Sequence, residues 1–283
     1  MPWKESIPMT TRYYKRIRPV KGTFDLGLSE IATYKDLLYF FAWKEFKIKY
    51  RQTGMGATWA VFQPIIAAIV FWFIFGRLLA LQSDDIPFFI FAYCGLTLWL
   101  YFSVALATST TSLVTNANML TKVYFPRILL PMASCIVGLI DFTIASVIMF
   151  IMLPFYGIAP TIWMLMFPIP IILMLLLAMG LGFWLSTICV KYRDVQYAVP
   201  FFIQILLFVS PITYTISNIP PEVKQYVILN PLTGIMVTQR AIILGATPID
   251  WDALIISAVF SVLVFFSGWI YFKSYEREFA DVI

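Results

Sequence analysis

Thr161 to Cys189 reads TIWMLMFPIPIILMLLLAMGLGFWLSTIC, 29 residues without a charged side chain. A helix on the surface of a soluble protein alternates apolar and polar faces every 3.6 residues, whereas this run is apolar all round. About 20 such residues cross the hydrocarbon core of a bilayer, so the stretch reads as a membrane-spanning helix. Five further segments are long and apolar enough, with Arg77 and Asp141 their only charges: residues 59–81, 88–112, 129–153, 197–216 and 253–272. Composition agrees with them. The chain has 283 residues, 61% of them hydrophobic and 12% charged, where a soluble domain carries about 25% charged residues. Its mean hydropathy is +0.85. The expected fold is an all-α integral membrane protein with six transmembrane helices.

Several chemistries are excluded at once. The chain has no histidine, which removes His-ligated metals, His general bases and Ser–His triads. Cys94, Cys135 and Cys189 lie in apolar runs without a C-x-x-C pair, a pattern of small core hydrophobes and not of a disulfide framework or zinc site. No metal and no cofactor is expected. The first 58 residues hold no apolar core of the signal-peptide type, so the first span is expected to stay as an anchor.

Residues 1–29 are mixed and basic, with Arg12, Lys15, Arg16, Arg18 and Lys21 among three prolines. They read as a cytosolic lead-in. From Glu30 to Gln52 the pattern turns helical. Ile31, Tyr34, Leu38, Phe41, Ala42 and Phe46 recur at three- and four-residue steps, with Lys44, Lys47 and Arg51 opposite. An apolar stripe beneath a basic one predicts an amphipathic helix in the membrane interface; a helix packed on protein has the same pattern. The stretch 218–246 differs again. Its apolar run from Ile235 to Leu244 is broken by Gln239 and Arg240 and preceded by Pro220, Pro221 and Pro231. Too short and interrupted to cross, it is expected to form a re-entrant or interfacial helical segment on the outer side.

Orientation follows from Lys and Arg in the connections. With the N-terminus inside, residues 1–58 together with Lys122, Arg127, Lys191, Arg193, Lys273 and Arg277 place 17 of the 20 cations on the inner side. Arg77, Lys224 and Arg240 remain outside. Both termini are therefore expected in the cytoplasm. The net charge of +5 is then an inner-surface charge facing anionic lipid, with no need of nucleic acid to explain it.

No G-x-x-x-x-G-K-[ST] phosphate loop is present, so ATP-driven work would need an ATPase on another polypeptide. Between spans 2 and 3 lies Asn118-Met-Leu-Thr-Lys122-Val-Tyr-Phe-Pro126-Arg127-Ile-Leu-Leu-Pro131. This inner connection combines apolar and aromatic residues with two cations and no acid. Such a surface suits contact with another protein; the alternative is a helix end folded back on its own bundle.

These residues carry a resemblance. The run Lys122 to Arg127 leading into Leu129-Leu-Pro131 resembles the membrane subunit of bacterial type-2 ABC exporters for cell-surface polysaccharide. Three more blocks are similar to the same family: Tyr50-Arg-Gln-Thr-Gly-Met-Gly leading to Trp59 and Gln63-Pro64; Lys191-Tyr-Arg193-Asp194 leading to Phe208-Val-Ser-Pro211-Ile-Thr-Tyr214; and Asn230-Pro231-Leu-Thr-Gly234 leading to Arg240 and Gly245. The resemblance implies a homodimer of six-helix subunits joined to two separate ATPase subunits in the bacterial inner membrane. It implies transport of a lipid-linked polysaccharide, typically O-antigen on undecaprenyl diphosphate, with teichoic acid, capsule polymer, or a drug or small lipid as alternatives. By position it makes 30–52 the interface helix, with Tyr34, Leu38, Phe41, Lys44, Lys47 and Arg51. It makes 118–130 the ATPase contact, with Thr121, Lys122, Tyr124, Phe125 and Arg127. Residues 30–283 would then be one transmembrane domain. The lead-in before residue 30 is longer than the family leads one to expect.

Asp141 is the single carboxylate inside an expected span, about 18 Å along its helix from Leu129 at roughly 1.5 Å per residue. A charge there costs roughly 2.5–3.5 kcal/mol, so it must face protein or a water-filled path: a channel or subunit-interface residue, or a structural acid. The chain also carries 26 Phe, 15 Tyr and 9 Trp. Trp72, Trp99, Tyr101 and Phe202 sit in clusters suited to line a glycan channel, although lipid belts and cores use the same residues. A membrane-embedded transferase would need acids, bases or nucleophiles gathered at one face. Here Asp84, Asp85, Glu222, Asp250 and Asp252 are scattered. A transport subunit is the expected function, not an enzyme.

Overall fold

The computed structural model describes residues 32–51, 58–80, 86–212, 214–216, 219–276 and 278–279. The lead-in 1–29, the Gly54-Met55-Gly56 cluster, and Asp84 and Asp85 lie outside the described residues. Within them the chain is helical, with no strand. The helices are α1 (Lys35–Arg51), α2 (Thr58–Phe71), α3 (Phe88–Thr115), α4 (Ala117–Leu120), α5 (Leu129–Met152), α6 (Pro168–Lys191), α7 (Val195–Val209), α8 (Pro221–Leu229), α9 (Pro231–Leu244) and α10 (Trp251–Tyr275). A π-helical turn, Trp72–Leu78, continues α2, and 3-10 turns at Leu153–Tyr156 and Ile162–Met166 flank the connection from α5 to α6.

Among the described residues, five helical stretches are long and apolar enough to cross a membrane: Thr58–Leu78, Phe88–Thr115, Leu129–Tyr156, Ile162–Lys191 and Trp251–Tyr275. The sixth expected span, 197–216, is shorter than its sequence suggested. Its helix α7 has 15 residues, about 22 Å at 1.5 Å per residue. It stops because Ser210 is extended (φ −88°, ψ 144°), the conformation favoured before a proline such as Pro211. The stretch expected to fold back is a helix pair, α8 and α9, bent by 92°. The bend falls at Asn230, which is extended before Pro231 and caps α9 by accepting the Leu232 N–H at 3.1 Å. Gly245 ends α9 in the left-handed region at φ 67°, where a Cβ would be strained.

α3 is the hub. It packs on α2, α5, α6, α7 and α9, and most of its side chains are buried. α6 pairs with α10 through a close backbone crossing. A Cβ on Gly180 would stand 2.6 Å from the Phe265 backbone, and one on Gly268 would strike the Gly180 carbonyl. Small residues let helices in lipid meet closely enough for dispersion contacts to hold them. Trp184 stacks on Tyr271 across the same seam with ring centres 3.9 Å apart. Several Ser and Thr hydroxyls inside the bundle return to their own helices: Thr110 donates to the Leu106 carbonyl at 2.7 Å and Thr187 to that of Phe183 at 2.8 Å. The apolar helices α2 and α7 are largely uncovered, with only Pro64 and Ala68 buried on one and Val199 and Ile203 on the other.

Candidate functional site

At the end of α3 the chain makes the short helix α4, then a turn into α5. Thr121, Lys122, Val123 and Tyr124 are exposed on this turn, Tyr124 by 66%. Phe125 differs from its expected place at a partner contact. It is 4% exposed, with its ring 5.1 Å from that of Phe41 on α1. Arg127 is half-buried; its partner is Glu276 of this chain, whose side chain accepts the Arg127 backbone N–H at 2.8 Å. The free surface of this turn is thus the tip Thr121–Tyr124, and Phe125 and Arg127 brace it from behind.

α1 packs along α5. Phe41 is buried, and Tyr34 and Leu38 are half-buried on the same side. Lys44 was expected on the basic face but turns inward and donates to Asn116 Oδ1 at 3.0 Å. Glu45 accepts the Ser134 hydroxyl at 3.0 Å. Burial raises its carboxyl pKa above the ordinary value, opposed by the Ser134 hydrogen bond and the nearby Lys44 charge. The outward face holds Lys47 and Arg51, but also Tyr39, Phe40, Trp43 and Ile48. That aromatic set escaped the periodicity argument. Lys47 lies 5.3 Å from the Trp43 ring centre, and such a mixture of rings and cations suits the headgroup layer. Phe41 on Phe125 and Lys44 on Asn116 join α1 and the turn into one surface.

Asp141 meets two residues of α1. Lys49 forms an ion pair with it and the Tyr50 hydroxyl donates to it. The acid inside α5 is thereby matched by a cation and a hydroxyl from α1. All three line a cavity of about 440 Å³ between α1, α2, α3 and α5, together with Trp59, Gln63, Thr97 and Tyr101. Tyr101 is buried and donates to the Cys135 carbonyl at 3.3 Å. Of the other aromatic candidates, Trp99 is buried against Phe102 at 5.8 Å, so it is a core residue and faces no open space. Trp72 and Phe202 lie on the exposed faces of α2's extension and α7. The structure does not bring them to the Asp141 cavity.

A second polar assembly lies against the first turns of α3, at Phe91, Cys94 and Gly95, just before the Thr97 and Tyr101 lining of the Asp141 cavity and, from Gly95 to Thr115, about 30 Å along the helix from its far end at 1.5 Å per residue. Arg240 of α9 is buried. Its guanidinium donates to the Pro211 carbonyl at 2.5 Å and to the Ile212 carbonyl, and covers the Phe91 ring at 3.8 Å. Gln239 donates to the Cys94 carbonyl at 3.1 Å, and Asn230 to the Ser210 hydroxyl at 3.2 Å. The backbone that α7 leaves unpaired when it unwinds is satisfied by α9. Two sequence blocks some twenty residues apart, Ser210-Pro211-Ile212 and Asn230 to Arg240, form one clamp. Among the described residues no cluster of His, Cys, Asp or Glu is placed to hold a metal.

Five helices long and apolar enough to cross a membrane among the described residues, with a helix packed along α5 and an exposed turn between α3 and α5, give the architecture of a multi-pass helical membrane protein. The chain belongs to the ABC-2 type transporter family, whose model matches residues 36–244. It is 28% identical over 256 residues to the O-antigen export system permease protein RfbA of Myxococcus xanthus, covering 90% of this chain and 98% of that one. It is 24% identical over 249 residues to RfbA of Klebsiella pneumoniae, covering 88% and 95%. It is 21% identical over 244 residues to the polysialic acid transport protein KpsM of Escherichia coli, covering 83% and 91%.

Proposed function

We propose that this chain is the permease subunit of an ATP-driven exporter of lipid-linked polysaccharide, O-antigen by class, in the bacterial inner membrane. The names of its relatives support the substrate class. The observation that carries the mechanism is the exposed tip Thr121–Tyr124, braced on α1 and joined covalently to α3 and α5. A partner that binds ATP and presses this tip displaces two spans at once. Lys122 and Tyr124 supply a cation and an aromatic anchor for that partner, and Phe125 and Arg127 hold the turn in shape. Both termini and this tip are cytoplasmic, as the distribution of Lys and Arg supports.

Two copies of the chain build the pathway, with the open faces of α2 and α7, including Trp72 and Phe202, turned towards the second copy. The Asp141 cavity, with its ion pair, Trp59, Tyr50 and Gln63, offers hydrogen bonds and ring faces to sugar hydroxyls and C–H surfaces within the bundle. α1 lies at the inner interface, where Lys47, Arg51 and Trp43 meet lipid headgroups. Residues 1–29 form a cytosolic segment, 30–283 the transmembrane domain, and 218–246 its outer re-entrant part.

Depletion tests the substrate. A lipid-linked glycan should accumulate on the cytoplasmic leaflet, whereas altered drug resistance without glycan accumulation would replace the polysaccharide reading. Tyr124→Ala with Val123→Ser tests the coupling tip and spares buried Phe125. Membrane insertion should persist while ATPase association and export fall. Normal association and export would move the contact elsewhere.

A further inference from the structure

The turn between α3 and α5 touches a third element that it does not join covalently. Glu276, directly after α10, uses three acceptors at once. Its Oε1 takes the Arg127 backbone N–H at 2.8 Å, its carbonyl takes Arg127 Nη1 at 2.5 Å, and its Oε2 takes Lys273 Nζ at 2.8 Å. Phe279, 3% exposed, seats its ring 5.2 Å from that of Phe272 on α10 and 6.0 Å from the Arg127 guanidinium. Arg127 and Glu276 are 149 positions apart. α10 itself packs on α6, α8 and α9, so Arg127 gives the turn a direct contact with the end of that helix, beside the indirect one through α3 and α6.

We propose that Glu276, seated by Phe279, is a positioning residue for transport: it clasps the Arg127 end of the turn and carries displacement of the Thr121–Tyr124 tip into α10. The proposal rests on the reading of that tip as the ATPase contact. The geometry favours a stiff link. Hydrogen bonds with a charged partner are roughly twice as strong as neutral ones. The Arg127 guanidinium also satisfies a carbonyl left open at the C-terminal end of α10, where a cation is stabilised. Beyond the clasp, the close Gly180–Gly268 crossing holds α10 to α6 without intervening side chains. A push at the tip therefore reaches α3 and α5 through the chain, and reaches the end of α10 directly through Glu276. Without the clasp, α10 follows the turn only through the packing of α6 on α3 and α5.

The test uses the chain assembled with its ATPase subunits in proteoliposomes, with export of lipid-linked glycan and ATP hydrolysis measured together. Glu276→Ala should keep ATPase copurification but raise the ATP hydrolysed per glycan exported by about tenfold, within the 5- to 150-fold that coupling free energies commonly span. Glu276→Gln keeps an acceptor for the Arg127 N–H and should fall between wild type and Ala; it also serves if the Ala variant is lost from membranes. Loss of packing alone lowers both activities in proportion, so an unchanged ratio in both variants overturns the clasp. Reduced copurification in Glu276→Ala overturns it as well, since Glu276 would then act on docking. Tyr124→Ala, assayed beside them, separates the two readings. If it weakens association while the Glu276 variants keep the wild-type ratio, the clasp alone fails; if it leaves association and export intact, the tip reading fails.

Discussion

The Arg240 guanidinium lies directly against Gly95, so that a Cβ at position 95 would collide with Nη2. A buried cation, a bare α3 backbone and two carbonyls from the unwound end of α7 share one small volume. The glycine leaves room for the planar fork, and the fork satisfies the carbonyls.

Gly95→Ala should therefore destabilise the bundle by about 1–3 kcal/mol through overpacking, read as a lower unfolding temperature of the detergent-purified chain. Arg240→Lys should also destabilise, because an ammonium cannot span both carbonyls or stack flat on Phe91. An Arg240→Lys variant as stable as wild type would show that the fork geometry is not needed.

Lys49 and Asp141 should behave as a coupled pair. Lys49→Met leaves the acid without its cation, and Asp141→Asn leaves the ammonium without its acid. The double variant should lose less than the sum of the two singles. Because the side chains are 40% and 25% exposed, the coupling should be about 1 kcal/mol, towards the surface end of the range. Additive losses in a thermal-unfolding cycle would show that the pair contributes no interaction of its own.

Glu45 gives a pH dependence with a definite sign. Its folded pKa is raised from 4.5 by burial, so the folded chain holds the proton more tightly than the unfolded one. Its contribution is most favourable below about 4.5 and is lost as pH rises through the raised folded value. Glu45→Gln keeps an oxygen for Ser134 and removes the charge. The variant should gain stability relative to wild type as pH rises from 4.5 to 7, with the two chains converging at the acid end. A difference in unfolding temperature that grows towards acid would contradict this.

At the α6–α10 seam, Gly180→Val should lose about 1–3 kcal/mol or more, since the backbone of Phe265 cannot move aside as a side chain can. Reduced recovery from membranes and a lower unfolding temperature are the readouts. Wild-type recovery and stability in Gly180→Val would mean that the helices have slack at this crossing.

Five of the six expected spans were legible because lipid imposes a simple condition: about 20 apolar residues in a row, with every backbone group bonded inside its own helix. α2 with its π-helical extension, α3, α5, α6 and α10 satisfy it, and their lengths follow. The bent pair α8 and α9 was legible too, since Pro220, Pro221 and Pro231 prevent one continuous helix. The end of α7 was harder to read. Apolar character continues past Val209 although helical hydrogen bonding does not, and hydropathy does not sense that difference.

The sequence by itself determined the membrane class, the distribution of cations and the absence of a phosphate loop in the chain, because each depends on composition or on a local motif. Partnerships between distant residues were decided by tertiary structure alone. Asp141 was recognisable as costly, but that Lys49 and Tyr50 answer it depends on how α1 lies along α5. Phe125 and Tyr124 are neighbours of similar character, yet one is core and the other surface, because only Phe125 falls against Phe41. Arg240 lay in a stretch expected outside the spans, and its burial follows from α9 closing over the carbonyls that α7 exposes. A pattern of apolar and charged residues sets which groups must be sheltered; the three-dimensional crossing of helices sets which group shelters which.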